Sequence, residues 1–248
     1  MSSLITKSLA QIVTDDHRAA SVFEKFHLDF CCKGKRSLEQ ACIEQKINTT
    51  DVINELSNSM TPGGGSCTLA FPFDKMSLTQ LADYIVMTHH TYVKKEAKQI
   101  LAWLEKVTSK HGSRHSELHR MAALFASVKE EMDLHMEKEE LILFPRIKEL
   151  ERMAKEADGK TAIHINYLLS PITILEKEHD YAGSLLEEIR ILSNDYMPPE
   201  DACTTYRLSF AALKTFEADL HQHVHLENNI LFPKAIALLR SVKEPLLN

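Results

Sequence analysis

Glycine is scarce in this chain, seven residues among 248, and three of the seven stand together as Gly63-Gly64-Gly65. Strand signals are nearly absent as well, and helical periodicity covers most of the sequence. The five cysteines are odd in number and too sparse for a disulfide scaffold in a chain of this size, which fits a reducing compartment. No basic segment followed by an apolar one opens the sequence, and no apolar run reaches membrane-spanning length. A net charge of −6 gives no general attraction to nucleic acid or to an anionic membrane. These absences lead us to expect a soluble, cytoplasmic, helical protein with no nucleic-acid or membrane partner. Against them stand thirteen histidines, more than an acidic soluble protein has an obvious structural use for.

The stretch from Ser57 to Ser66, with Pro62 and the glycine run, has the composition of a flexible linker. It divides a small helical N-terminal domain, residues 1–57, from a larger unit over residues 77–248, with residues 58–76 as the connection. The larger unit reads as four helices. The first opens on the capping box Ser77-Leu-Thr-Gln80 and runs to about Val107. The second carries the apolar stripe Leu118, Met121, Phe125, Val128 and Met132, which passes through His135 and Glu139 and resumes at Ile142. The third opens at Ser170-Pro171, a cap with proline at the first helical position. Its stripe is Ile172, Leu175, His179, Ala182, Leu186 and Ile189. After Pro198-Pro199, the fourth runs Tyr206, Phe210, Leu213, Phe216, Leu220, His223, Glu227, Ile230.

One pattern occurs twice: His135-Met-Glu-Lys-Glu139 and His223-Val-His-Leu-Glu227 both continue as x2-Ile-Leu-Phe-Pro, 88 residues apart. A His and a Glu four residues apart share one helix face and can reach one point in space. A single such pair is ordinarily a surface contact. Here both pairs, and His179, sit where periodicity assigns the core. Buried carboxylates and imidazoles must neutralise one another, shift their pKa or bind a cation, and a shared metal explains them best. The first helix offers His89 and His90, between which periodicity cannot choose. The repeat favours His90, which lies 89 residues before His179.

Four imidazoles and two carboxylates, without thiolate, disfavour structural zinc, and the histidines disfavour an all-oxygen calcium or magnesium cage. Two carboxylates bridging two irons fit the donor set. The ferritin-like Glu-x-x-His spacing occurs once, at Glu176 to His179, with no second copy in the bundle. Two imidazoles and two bridging oxygens per iron leave room for an oxo bridge and a small ligand such as O2 or NO.

The N-terminal unit contains Asp29-Phe30-Cys31-Cys32-Lys33-Gly34-Lys35, followed by a helix capped by Ser37 and Gln40. Two small apolar residues in a tight turn would account for the cysteine pair structurally. Lys33 and Lys35 would instead favour thiolate, giving a reactive or metal-holding pair. Cys42, Cys67 and Cys203 lack such company and read as structural.

With these segments the chain resembles the di-iron proteins that repair iron–sulfur clusters, the RIC family of YtfE and ScdA type. That family joins a short domain bearing a D-[FY]-C-C-x-G-K signature to a hemerythrin-like bundle. The resemblance runs along essentially the whole chain, through Asp29 to Lys35, Glu178-His179-Asp180, Ala202 to Thr205 and Leu226 to Pro233. It implies an all-α fold, a hemerythrin-like up-down four-helix bundle preceded by a small helical N-terminal domain. It also implies iron ligands at His90, His135, Glu139, His179, His223 and Glu227, with both glutamates bridging two non-haem, oxo-bridged irons. The implied function is repair of iron–sulfur proteins damaged by nitrosative or oxidative stress, through iron donation, with Cys31 and Cys32 in redox or iron transfer. Two rival functions are reduction of NO to N2O and sensing of O2 or NO. Lys33 departs from the glycine common in the family. Oxygen carriage is not expected, because the fifth histidine and the aspartate spacing of oxygen-carrying hemerythrins are not evident. The N-terminal unit, with few apolar residues of its own, is expected to dimerise or to dock on the bundle.

Overall fold

A computed structural model of the chain describes residues 2–60, 72–156 and 165–243. These residues are overwhelmingly helical, and their only β-pairing is an isolated bridge between Ser8 and Ser37. The N-terminal helices are α1 (Ser2–Ile5), α2 (Leu9–Asp15), α3 (Ala19–Lys25), α4 (Leu38–Gln45) and α5 (Thr49–Met60). Ser37 and Gln40 form the expected capping box at α4. The glycine run and Cys67 lie outside the described residues.

Four rods follow. The first joins α6 (Leu78–Ile85) to α7 (Thr91–His111) through a π-turn at Val86–His90. The second joins α8 (Glu117–Lys138) to α9 (Phe144–Glu156) through a π-turn at Glu139–Leu143. The third is the uninterrupted α10 (Asn166–Leu192). The fourth joins α11 (Thr204–Leu226) to α12 (Phe232–Lys243) through a π-turn at Glu227–Leu231. In contact, α8 packs between α7 and α10, and α11 lies along α7, which makes a hemerythrin-like four-helix bundle. Ser77 and Gln80 cap α6 reciprocally, as their spacing predicts. No described helix is long and apolar enough to cross a membrane.

Three departures from the sequence reading have physical causes. The stripe on the second rod resumes at Leu143, which is fully buried, and Ile142 is 44% exposed. The π-turn inserts one residue into the helical repeat and moves the apolar face by one position. The third rod begins at Asn166, not at Ser170, so Pro171 lies inside the helix. Proline deprives the carbonyl four residues back of its donor, and Arg146 Nη1 supplies one to Tyr167 O at 2.9 Å. Cys203 is exposed at the start of α11, where its side chain makes no capping bond, while Cys42 is buried as a structural cysteine would be.

Two apolar clusters hold the described residues together. One gathers Leu78 to Ile85, Leu143 to Leu150 and Leu226 to Leu239 at one end of the bundle. The other runs through the opposite end and continues into the N-terminal helices by way of Leu9, Phe23, Phe30 and Leu56. The N-terminal unit therefore docks on the bundle. Phe30 meets the rings of His221 and His225, His221 Nδ1 pairs with Glu24 at 2.6 Å, and Asn229 Nδ2 donates to Cys31 O at 2.9 Å.

Candidate metal centre

Between the two apolar clusters lies one polar layer. Its members are His90, His135, Glu139, His179, His223 and Glu227, each at most 1% exposed. All three π-turns meet this layer: the first ends on His90, and the other two begin on Glu139 and Glu227. In each, the N–H that closes the turn reaches back five residues, as from Phe144 to Glu139 O and from Phe232 to Glu227 O. π-turns of this kind re-aim side chains and recur at functional sites.

Each glutamate meets one imidazole of its own rod and one from another rod. Glu139 places Oε2 at 3.3 Å from His90 Nε2 and Oε1 at 3.3 Å from His135 Nε2. Glu227 places Oε2 at 3.1 Å from His179 Nε2 and Oε1 at 3.0 Å from His223 Nε2. Two groups result, His90–Glu139–His223–Glu227 and His135–Glu139–His179–Glu227, each with donor atoms within 4.8 Å of one another. They share both carboxylates. His135 Nε2 and His179 Nε2 also converge to 2.9 Å.

The outward nitrogens show which way the imidazoles are set. His90 Nδ1 lies 2.7 Å from Glu140 Oε1, and His135 Nδ1 lies 3.0 Å from Glu178 Oε2. A carboxylate only accepts, so these Nδ1 atoms carry a proton and Nε2 is the atom that faces the layer as ligand. His179 Nδ1 is held at 3.0 Å by Asn228 Oδ1, while His223 Nδ1 is buried without a partner. Lys94 and Lys138 brace Glu140 and Glu178 in turn.

Burial opposes charge on the two shared carboxylates, yet the imidazoles overcome it. They hold Glu139 below the ordinary carboxylate range and Glu227 well below it. Burial likewise opposes protonation of His135, but Glu139 and Glu178 raise it to about 10. His90 Nε2, both oxygens of Glu139 and Glu227 Oε2 are buried and meet only other donors of the layer, without a well-formed hydrogen bond. Unpaired polar atoms at that depth are costly, and nitrogen and oxygen donors converging on common points fit a borderline cation such as iron.

His89 stays out of the layer: its Nδ1 binds Asp219 at 3.0 Å and its ring stacks on His223. Glu140, Glu178, Asn228 and Asn229 escaped assignment from the sequence. Three of the four adjoin a predicted ligand, and Glu178, Asn228 and Asn229 lie in segments that carry the family resemblance, but neither signal gave them a role.

Cys31 and Cys32 sit at the junction of the N-terminal unit with the bundle, both unbridged, with sulfurs 3.8 Å apart. Asp29 Oδ1 accepts the N–H groups of Cys31, Cys32 and Lys33. Gly34 is required there, because a Cβ would come within 2.1 Å of Phe30 O. Lys33 and Lys35 are exposed and do not make Cys31 the thiolate expected. Instead the Cys32 thiol, burial and Asp29 push the Cys31 pKa well up.

Residues 81–235 match the hemerythrin HHE cation binding domain, and residues 5–59 match the ScdA N-terminal domain, a domain of unknown function. The chain is 32% identical over 233 residues to the iron–sulfur cluster repair protein YtfE of Enterobacter sp. (strain 638), covering 92% of this chain and 96% of that one. The chain belongs to the YtfE family of iron–sulfur cluster repair proteins. The proteins of that name from Musicola paradisiaca (33% identity) and Yersinia pestis (32%) are similar over 93% of this chain and 96% of their own. Both family matches follow the division seen here, with the cysteine pair in the first segment and the polar layer in the second.

Proposed function

We propose that the chain repairs iron–sulfur clusters damaged by nitrosative or oxidative stress, by donating iron held in the polar layer. The observation that carries this reading is the pair Glu139 and Glu227, each spanning two imidazoles from different parts of the bundle. His90 and His223 would hold one iron, His135 and His179 the other, with both glutamates bridging. The repair function in the relatives' names supports it. Iron in this role is the cargo, and damaged iron–sulfur proteins are the recipients. Residues 1–57 carry the transfer cysteines, residues 58–76 tether them, and residues 77–248 store the metal. Free cysteines suit a cytoplasmic setting.

The protein's own groups do two things. Glu140, Glu178 and Asn228 orient the imidazoles, and the apolar clusters flank the layer on either side. Ligand exchange at His and Glu donors is pH-dependent because each must be deprotonated to bind.

The deciding measurement is iron per chain in anaerobically purified protein, beside the double variant Glu139→Ala, Glu227→Ala. About two irons in the wild type and almost none in the variant fit the shared-carboxylate site. Reactivation of an NO-damaged cluster protein should stop once that iron is spent. Sustained N2O production with a reductant would instead favour catalysis, and ligand-dependent partner binding without iron loss would favour sensing.

A further inference from the structure

A cavity of about 380 Å³ separates the cysteine pair from the polar layer. One wall carries Asp29, Cys31 and Cys32, whose ligating atoms lie within 4.8 Å of one another. Among the residues of the opposite wall are His179 and Gly183, one turn apart on α10. Of the six residues assigned to iron, only His179 lines this cavity.

Three further features point the same way. The lining holds five carboxylates, Glu24, Asp29, Asp180, Glu187 and Glu217, against three cations, Lys33, Arg36 and Arg190. Pairing takes up Arg190 with Glu217, Glu24 with His221 and Arg36 with Glu44, which leaves Asp29, Asp180 and Glu187 against Lys33. The balance suits a passing cation. Next, the neighbours Asn228 and Asn229 tie the walls together, Asn228 on His179 Nδ1 and Asn229 on the Cys31 carbonyl. Finally, two thiols and a carboxylate form a softer donor set than the bundle's imidazoles and carboxylates.

We propose that Asp29, Cys31 and Cys32 form a second, transient iron site, loaded across this cavity from the His135–His179 half of the centre. This rests on the iron-donor reading above. The step is a ligand exchange of ferrous iron without change of oxidation state. Bonds to His135, His179 and the glutamates break, and bonds to two sulfurs and the Asp29 carboxylate form. The two thiol protons pass to the vacated imidazoles, so charge balances without a reductant.

Cobalt(II) added to iron-free full-length protein tests the site directly. Filling of the bundle should give no thiolate charge-transfer absorption, and further cobalt should bring that band up. The band should vanish in the double variant Cys31→Ser, Cys32→Ser and weaken in Asp29→Asn. Should the double variant lose its helical circular dichroism, Cys32→Ser alone, at the half-buried position, takes its place.

The route is tested with Gly183→Leu. An added Cβ there meets nothing within 4 Å, so the side chain fills the cavity without displacing backbone. Iron content should stay at the wild-type level while release to an external chelator slows measurably. A missing thiolate band, or release at the wild-type rate in the cysteine and Gly183 variants, would overturn the inference. Wild-type protein that binds no iron at all would overturn the donor reading instead.

Discussion

Arg146 donates to the carbonyl of Tyr167 at 2.9 Å, the acceptor that Pro171 leaves without a backbone partner. The guanidinium also lies over the Tyr167 ring, 4.7 Å from its centroid. Together the contacts let α10 begin before its proline.

Arg146→Ala should therefore destabilise the protein by about 1–2 kcal/mol in urea unfolding, the cost of stranding one backbone acceptor. In the Pro171→Ala background, residue 171 regains its N–H and the same substitution should cost clearly less. Equal costs in both backgrounds would show that the two residues act independently.

Glu151 caps the start of α6 from a distant helix, accepting from Leu78 N, Thr79 N and Thr79 Oγ1. Burial opposes its charge, but these bonds outweigh burial and hold its pKa below the ordinary value of 4.5. A depressed carboxylate stabilises the fold above the unfolded pKa, and the benefit disappears as pH falls through the folded one. Glu151→Gln should cost about 1–3 kcal/mol at neutral pH. That gap should narrow below pH 4.5, which melting curves across an acid series would follow.

Glu178 receives His135 Nδ1 and Lys138 Nζ, and His135 with Lys138 holds its pKa at about 2. Glu178→Ala should leave the fold intact and weaken iron retention about 10- to 100-fold in a chelator competition, because outer carboxylates orient metal-bound imidazoles. Asn228→Ala should act in the same direction through His179. Unchanged retention in both would remove the assigned role of these contacts.

Gly34→Ala places a methyl against the Phe30 carbonyl and Ala10. The N-terminal unit should lose more than about 2 kcal/mol, since the closest atom is backbone and cannot yield. The bundle should keep its iron, so the damage is confined to cysteine-dependent transfer.

Most of the bundle was legible because its stripes are long. Tyr206 through Ile230 fell on the predicted face without exception, and both capping boxes formed as spelled. The repeat selected His90, and geometry brings that residue, not its neighbour, beside Glu139. Ile142 misled because a π-turn leaves no mark in a period of 3.6, only its consequence. Pro171 misled because its compensation comes from Arg146, far away in sequence. The outer partners Glu140, Glu178 and Asn228 are ordinary polar residues until a fold aims them at something. Cys31 illustrates the converse: the lysines nearby in sequence do not offset the Cys32 thiol, burial and Asp29, which push its pKa well up.

The three π-turns give the bundle a seam. At that level three of the four rods close by longer backbone loops, so stiffness between the two ends draws on the side chains meeting in the layer as well as on the uninterrupted α10. A cation gripped from three rods would stiffen that seam, and its departure would let the two ends flex and twist against each other. Amide hydrogen exchange at Val86–His90, Glu139–Leu143 and Glu227–Leu231 should therefore track metal content more closely than exchange anywhere else in the bundle. Because Asn229 lies within the last of these turns and holds the Cys31 carbonyl, the N-terminal unit would feel the emptying of the store as a loosening of its own anchorage.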